Sequence, residues 1–105
     1  MKIFNFEQEY TKSPFARDET HNKDKNGKDF EEKYLAKWIR EKQKVLIKAD
    51  DLSTPFSDSF ADASFCKWIR ANKDEFDKYI KIDNETEDEQ ELHKTIKEVL
   101  DRDKR

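Results

Sequence analysis

Between Lys44 and Arg70 the sequence KVLIKADDLSTPFSDSFADASFCKWIR changes its apolar period once, and that change dictates a strand followed by a helix. Val45 and Ile47 alternate with Leu46 and Lys48 in a short β-branched run, the pattern of a strand. Pro55 interrupts the chain, and then Phe60, Ala61, Ser64, Phe65, Trp68 and Ile69 recur at helical spacing. The junction collects Ser53, Thr54, Ser57, Asp58 and Ser59, where a helix N-terminus offers unpaired N–H groups and partial positive charge. Hydroxyls and carboxylates at such a place cap a helix, and the same hydroxyls are positioned to carry a phosphate.

What surrounds this unit must be small. The 105 residues suit one domain, 1–105, and only 33% of them are apolar against 45% charged. Leu, Ile, Val and Phe number 22, close to the rough 20% level below which chains stay disordered. Periodic placement of those residues and an aromatic content of 12% argue for a folded domain of modest stability. The net charge of −3 comes from 22 basic and 25 acidic residues interspersed along the chain. No basic block could track a phosphate backbone, so nucleic acid is not an expected partner. No apolar run approaches the roughly 18 residues of a membrane span, and Met1 to Tyr10 lacks the pattern of a signal peptide. One cysteine, Cys66, excludes an internal disulfide framework, and a cytoplasmic location is the default expectation.

Along the rest of the chain, Lys2 to Phe6 alternates as a first strand. Periodicity lapses from Glu9 to Asn26, and Pro14, Asn22, Asn26 and Gly27 mark 11–27 as an exposed, flexible loop. Asn26 with Asp29 opens a helix running to about Lys42 that buries Phe30, Tyr34, Leu35, Trp38 and Ile39. The strand at 44–49 and a helix from about 58 to 72 follow, then a charged connection over 73–78 and a third strand at 79–83. Thr86 and Glu89 have capping-box spacing and start a last helix burying Leu92, Ile96, Val99 and Leu100, with 101–105 fraying. Alternating strands and helices predict a small α/β sheet with helices packed on it. Right-handed crossovers would place helix 58–72 between two parallel neighbouring strands, and the 50–59 turn at the carboxyl end of the central strand.

The alternating strand, the polar turn, and Asp58-Ser59-Phe60-Ala61-Asp62 followed by Phe65 resemble the STAS-like domain family of unknown function. The resemblance extends to the MKIFNF opening, the FEEKYLAKWI helix and the KIDNE segment. That family is similar in turn to the STAS domains of anti-sigma factor antagonists, in which an aspartate–serine pair at a helix start is phosphorylated by an anti-sigma factor that is also a serine kinase. By position, Asp58 takes the acidic place and Ser59 the phosphoacceptor place. The antagonists usually continue with a small hydroxyl residue and glycine; here Phe60, as in the STAS-like branch, and Ala61 stand there.

The resemblance therefore implies a non-enzymatic regulatory module that binds a protein partner, a GHKL-type kinase or ATPase, through the 50–60 turn and helix start. Ser59 and Ser57 are the candidate phosphoacceptors; Asp58, Phe56, Phe60, Ser53, Thr54 and Arg17 are the candidate partner contacts. The competing expectations are a constitutive protein-binding inhibitor, of the kind mobile elements encode, using the same face without phosphorylation, and a small enzyme using Asp58 with a hydroxyl. Residue by residue, plainer roles compete too: capping for the serines, turn hydrogen bonds for Ser53 and Thr54, surface positions for His21 and His93, and a buried thiol for Cys66. Neither a metal-ligand rhythm nor a phosphate loop is present, so no metal or cofactor is expected.

Overall fold

The computed structural model describes residues 1–104. Its elements are β1 (Lys2–Asn5), α1 (Phe6–Glu9), α2 (Gly27–Phe30), a turn of π-helix (Glu31–Leu35), α3 (Ala36–Arg40), β2 (Val45–Lys48), α4 (Asp58–Ala63), α5 (Phe65–Tyr79), β3 (Ile80–Ile82) and α6 (Glu87–Arg102). The three strands form a parallel sheet in the order β1-β2-β3, with Phe4, Ile47 and Ile82 in one row and Lys2, Val45 and Ile80 in the next. This is the expected small α/β fold, with β2 central and the helix 58–72 region crossing between parallel neighbours.

Strand alternation decides where the core lies. Phe4, Val45, Ile47, Ile80 and Ile82 are buried on one face, whereas Ile3 and Lys81 on the other face are exposed. The helices pack against one another, α2 on α4, α3 on α5 and α6 on both α4 and α5, so they make one layer over the buried face. Between the layers sits an aromatic cluster. The Phe30 ring lies 5.2 to 6.3 Å from those of Phe6, Tyr10, Tyr34, Phe65, Phe60, Phe4 and Trp38. Large rings let a chain with few aliphatic residues bury enough area to fold.

Local signals set the helix ends. Asn26 caps α2 by accepting the Asp29 N–H at 2.7 Å, and Thr86 and Glu89 form the reciprocal capping box of α6. The expected helix over 58–72 is instead two. Ser64 leaves helical geometry (φ −116°, ψ −91°) while its hydroxyl donates to the Phe60 carbonyl at 2.7 Å, a back-bond that competes with the helix ladder. Segment 73–78, expected as a connection, is helical within α5. The boundary expected near 72 survives as a kink at Asn72 (φ −162°, ψ 91°), whose side chain accepts the Glu75 N–H at 3.0 Å and restarts the helix. At the end of the chain, where fraying is expected over 101–105, ion pairs reach as far as Asp103. Asp101 and Arg102 are helical, and Arg102 and Asp103 are ion-paired to Asp58 and Arg70 at 2.7 Å each; Arg105 lies outside the described residues.

Gly27 is needed where α2 meets α4. A Cβ there would come within 2.6 Å of the Phe60 carbonyl oxygen and 3.1 Å of the Ala63 Cβ, and the first of these is backbone. Gly27→Ala is expected to destabilise the protein by about 2 kcal/mol through this overpacking, although alanine is the better helix former by about 1 kcal/mol. Urea denaturation checks this; an unchanged or raised midpoint would mean that α4 moves aside freely.

Candidate functional site

The turn after β2 is caught by carboxylates from two directions. Glu89 of α6 accepts the Ala49 N–H at 2.9 Å, and Asp88 accepts the Leu52 N–H at 3.0 Å. Glu7 of α1 accepts the Asp50 N–H at 2.9 Å, and Asp51 turns the chain with a positive φ of 57°. The Thr86 hydroxyl donates to the Ala49 carbonyl. Beyond this turn the chain runs beside residues 12–15: Ser53 N–H donates to Lys12 O (2.8 Å), Ser57 N–H to Pro14 O (3.0 Å) and Ser57 Oγ to Phe15 O (2.7 Å). The start of the segment expected as a flexible loop is thus docked on the site. Its end is anchored as well. Gly27 N–H donates to Ala16 O at 2.9 Å, and the Tyr10 hydroxyl donates to Asp29 (2.6 Å) while accepting the Asn26 N–H (3.0 Å). Burial pushes the Tyr10 phenol up, and its bond to Asp29 adds to that shift.

The two candidate serines separate by role. Ser57 is the N-cap of α4, accepting the Phe60 N–H at 2.9 Å while donating to Phe15, so both its functions are structural. Ser59, two residues further on, is half-buried, and its hydroxyl has no partner among the described residues. It lines a cavity of about 240 Å³ with Arg17, Asp58, Asp62, Arg70 and Arg102, and a smaller one with Phe15, Arg17 and His21.

An ion network surrounds that hydroxyl. Arg17 meets Asp62 at 2.7 Å, Arg70 binds Asp62 and also meets Asp103 at 2.7 Å, and Arg102 meets Asp58 at 2.7 Å. Partial burial of Asp62 opposes its ionisation, but the two guanidiniums win and hold its carboxyl below the usual range. Hydrogen bonding to Asp103, and then to Asp62, raises Arg70 further. These bonds join the loop, α4, α5 and the end of α6 into one charged surface.

No family model, curated protein or solved structure matches the chain. The resemblance to the STAS-like family therefore rests on the residues quoted above.

Among the other candidates, Arg17 is exposed at the site, Ser53 is exposed in the turn, and Asp58 is engaged by Arg102. Thr54 is half-buried, with a buried hydroxyl that lacks a partner among the described residues. Phe56 and Phe60 are not partner contacts: both are buried, 5.9 Å apart and packed on Phe6. With Ser57 as cap, Phe60 falls on the inward side of α4, as its place in the apolar period requires. The aromatic side chain the surface does present is Phe15, 45% exposed, which sequence reasoning missed because a lone phenylalanine in a loop carries no period. Arg70, Arg102 and Asp103 were missed for a related reason: they join the site only through tertiary packing.

His21 shares the small cavity with Ser59, but its Nδ1 lies 3.1 Å from Thr20 Oγ1 and 3.8 Å from Asp18. No bond joins it to Ser59 among the described residues. His93 sits on α6 against the carbonyls of Ile82 and Asp83 at 3.0 and 3.1 Å. Cys66 is buried, and desolvation pushes its thiol up to about 11, which disfavours the thiolate. Among the described residues no helix is long and apolar enough to cross a membrane.

Proposed function

We propose that the chain is a STAS-like regulatory module that binds a protein partner, a GHKL-type kinase or ATPase, through the surface formed by Phe15, Arg17, Ser53, Asp58 and Ser59, with phosphorylation of Ser59 as its switch. The observation carrying this reading is the division of labour between the serines: Ser57 caps α4, which leaves the Ser59 hydroxyl unengaged in a cavity beside three arginines and an exposed phenylalanine.

A phosphate at Ser59 brings roughly −1.5 to −2 charges and three acceptor oxygens. Arg17, Arg70 and Arg102 are positioned to exchange aspartate partners for it, while Asp58 and Asp62 repel it. The ion pairs tying α4 to the end of α6 would be rearranged, and a partner docked over Phe15 and Arg17 would meet a new anion. Binding weakens without a change of fold.

A second reading has its own support. Each arginine in the network already has an aspartate, so the surface is complete without a phosphate, as a constitutive inhibitor requires. Intact-mass analysis of the chain purified from the organism that makes it, before and after phosphatase, separates the two. The expected result is a phosphatase-sensitive gain of one phosphate mapped to Ser59. A chain unmodified through growth and stress would remove the switch and leave the constitutive reading.

A further inference from the structure

The sheet ends in two unlike edges. β3 is three residues long with an exposed lysine at its centre, the usual protection of an edge against pairing. Within β1, Ile3 is 55% exposed and pairs with half-buried Leu46 on the uncovered face of the sheet, and Met1 just before the strand is 76% exposed. Parallel sheets are ordinarily covered on both faces. Among the described residues the exposed large apolar side chains are Met1, Ile3 and Phe15, and Ile3 lies on this bare side.

The backbone of β1 is arranged to accept another strand. Lys2 N–H donates to Lys44 O at 2.9 Å, so the peptide groups of Lys2 and Phe4 point to β2 and those of Ile3 and Asn5 point outward. The outward Asn5 N–H is held by the Glu9 carboxylate at 2.7 Å. Lys2 and Glu9 therefore stand at opposite ends of the edge, at the rim of a groove floored by Phe4, Tyr34 and Trp38. An edge that is positive at its start and negative at its end is complementary to itself run backwards.

We propose that β1 pairs antiparallel with β1 of a second copy of this chain across a two-fold axis at Ile3. Ile3 of each copy then donates to and accepts from Ile3 of the other, and Asn5 N–H passes from Glu9 to the facing Met1 carbonyl. Lys2 of each copy enters the facing groove, over Phe4 and beside the released Glu9. Ile3 and Leu46 of both copies become one apolar stripe. Lys33 in that groove is neutralised by Asp29 at 2.8 Å, and Lys37 is the like charge the incoming lysine meets. Two short strands bury less than the roughly 1,200 Å² of a standard interface, so the dimer is a weak, concentration-dependent one.

Light scattering on the full chain over a wide concentration range is expected to show a mass rising from 12.7 kDa towards twice that value, less steeply in high salt. Register is read by cross-linking. In a hydrogen-bonded antiparallel pair the facing Cα atoms are about 5.5 Å apart, within reach of a disulfide, and native Cys66 is buried and does not compete. Ile3→Cys is expected to form an intermolecular disulfide under mild oxidation, and Leu46→Cys is not. Lys2→Glu should weaken self-association several-fold, and Lys2→Glu with Glu9→Lys should restore it. A chain that stays monomeric at every concentration, or one that cross-links through Leu46→Cys rather than Ile3→Cys, would overturn edge pairing; the latter points to stacking of the open faces.

Discussion

Phe30→Ala is expected to cost about 4 kcal/mol, the middle of what truncating a buried aromatic side chain removes. Phe30 is fully buried at the end of α2, and its ring meets aromatic side chains from β1, α1, the π-turn, α3, α4 and α5. Removing it takes away transfer free energy and leaves a cavity whose walls belong to six elements, so no single side chain can move in to fill it. Aliphatic content is low, and the remaining core offers little reserve against a loss that is a large share of a small domain's 5–15 kcal/mol or so. Thermal or urea unfolding followed by circular dichroism gives the number. A loss under about 1 kcal/mol would mean that the cluster collapses around the gap and that Phe30 is not its centre. Phe30→Leu keeps part of the volume and should lose less.

What could be read in the sequence was what neighbouring residues decide among themselves. The three strands, the Asn26 cap, the Thr86–Glu89 capping box and the apolar faces of α2–α3 and α6 all follow from spacing within one element. The period even marked the break at Asn72, although the helix resumes behind it because Asn72 caps its own successor. Local pattern is silent where distant groups meet. Phe60 was assigned both to an apolar face and to a partner surface; the structure follows the period, since a side chain at that position of α4 can only enter the Phe6–Phe30–Phe56 cluster. Spacing leaves both Ser57 and Ser59 as candidate phosphoacceptors, and only the fold engages the first with Phe15 O and Phe60 N–H. At the end of α6 Arg102 meets Asp58, 44 positions back by the numbering, and no local pattern signals that pair.

Glu89 was legible as half of a capping box, but its larger role was not, because that role lies with the candidate site. Its side chain is 1% exposed and accepts three backbone N–H groups: Glu85 at 2.8 Å, Thr86 at 2.9 Å and Ala49 at 2.9 Å. The first two close the start of α6; the third fixes the point where β2 gives way to the 50–59 turn. Glu89→Ala leaves three amides without their acceptor, and a loss of about 3 kcal/mol is expected from hydrogen bonds to a charged group. Glu89→Gln retains one good acceptor oxygen and should lose less. Desolvation raises the Glu89 carboxyl, but the three amides outweigh it and hold it below its ordinary value. A group depressed in the folded state stabilises the protein fully above its unfolded value of about 4.3, and that contribution is lost as pH falls through the lower folded value. The stability gap between the parent chain and Glu89→Gln should therefore be constant near neutrality and narrow below about pH 4. Amide exchange at Ala49 and Leu52 supplies the local readout: in Glu89→Ala these two should exchange faster than core amides of β2, as expected if α6 holds the turn in place. If they slow or stay level with Val45 and Ile47 while global stability falls, Glu89 supports only its own helix, and the position of the site turn is set by Glu7 and the 12–15 segment instead.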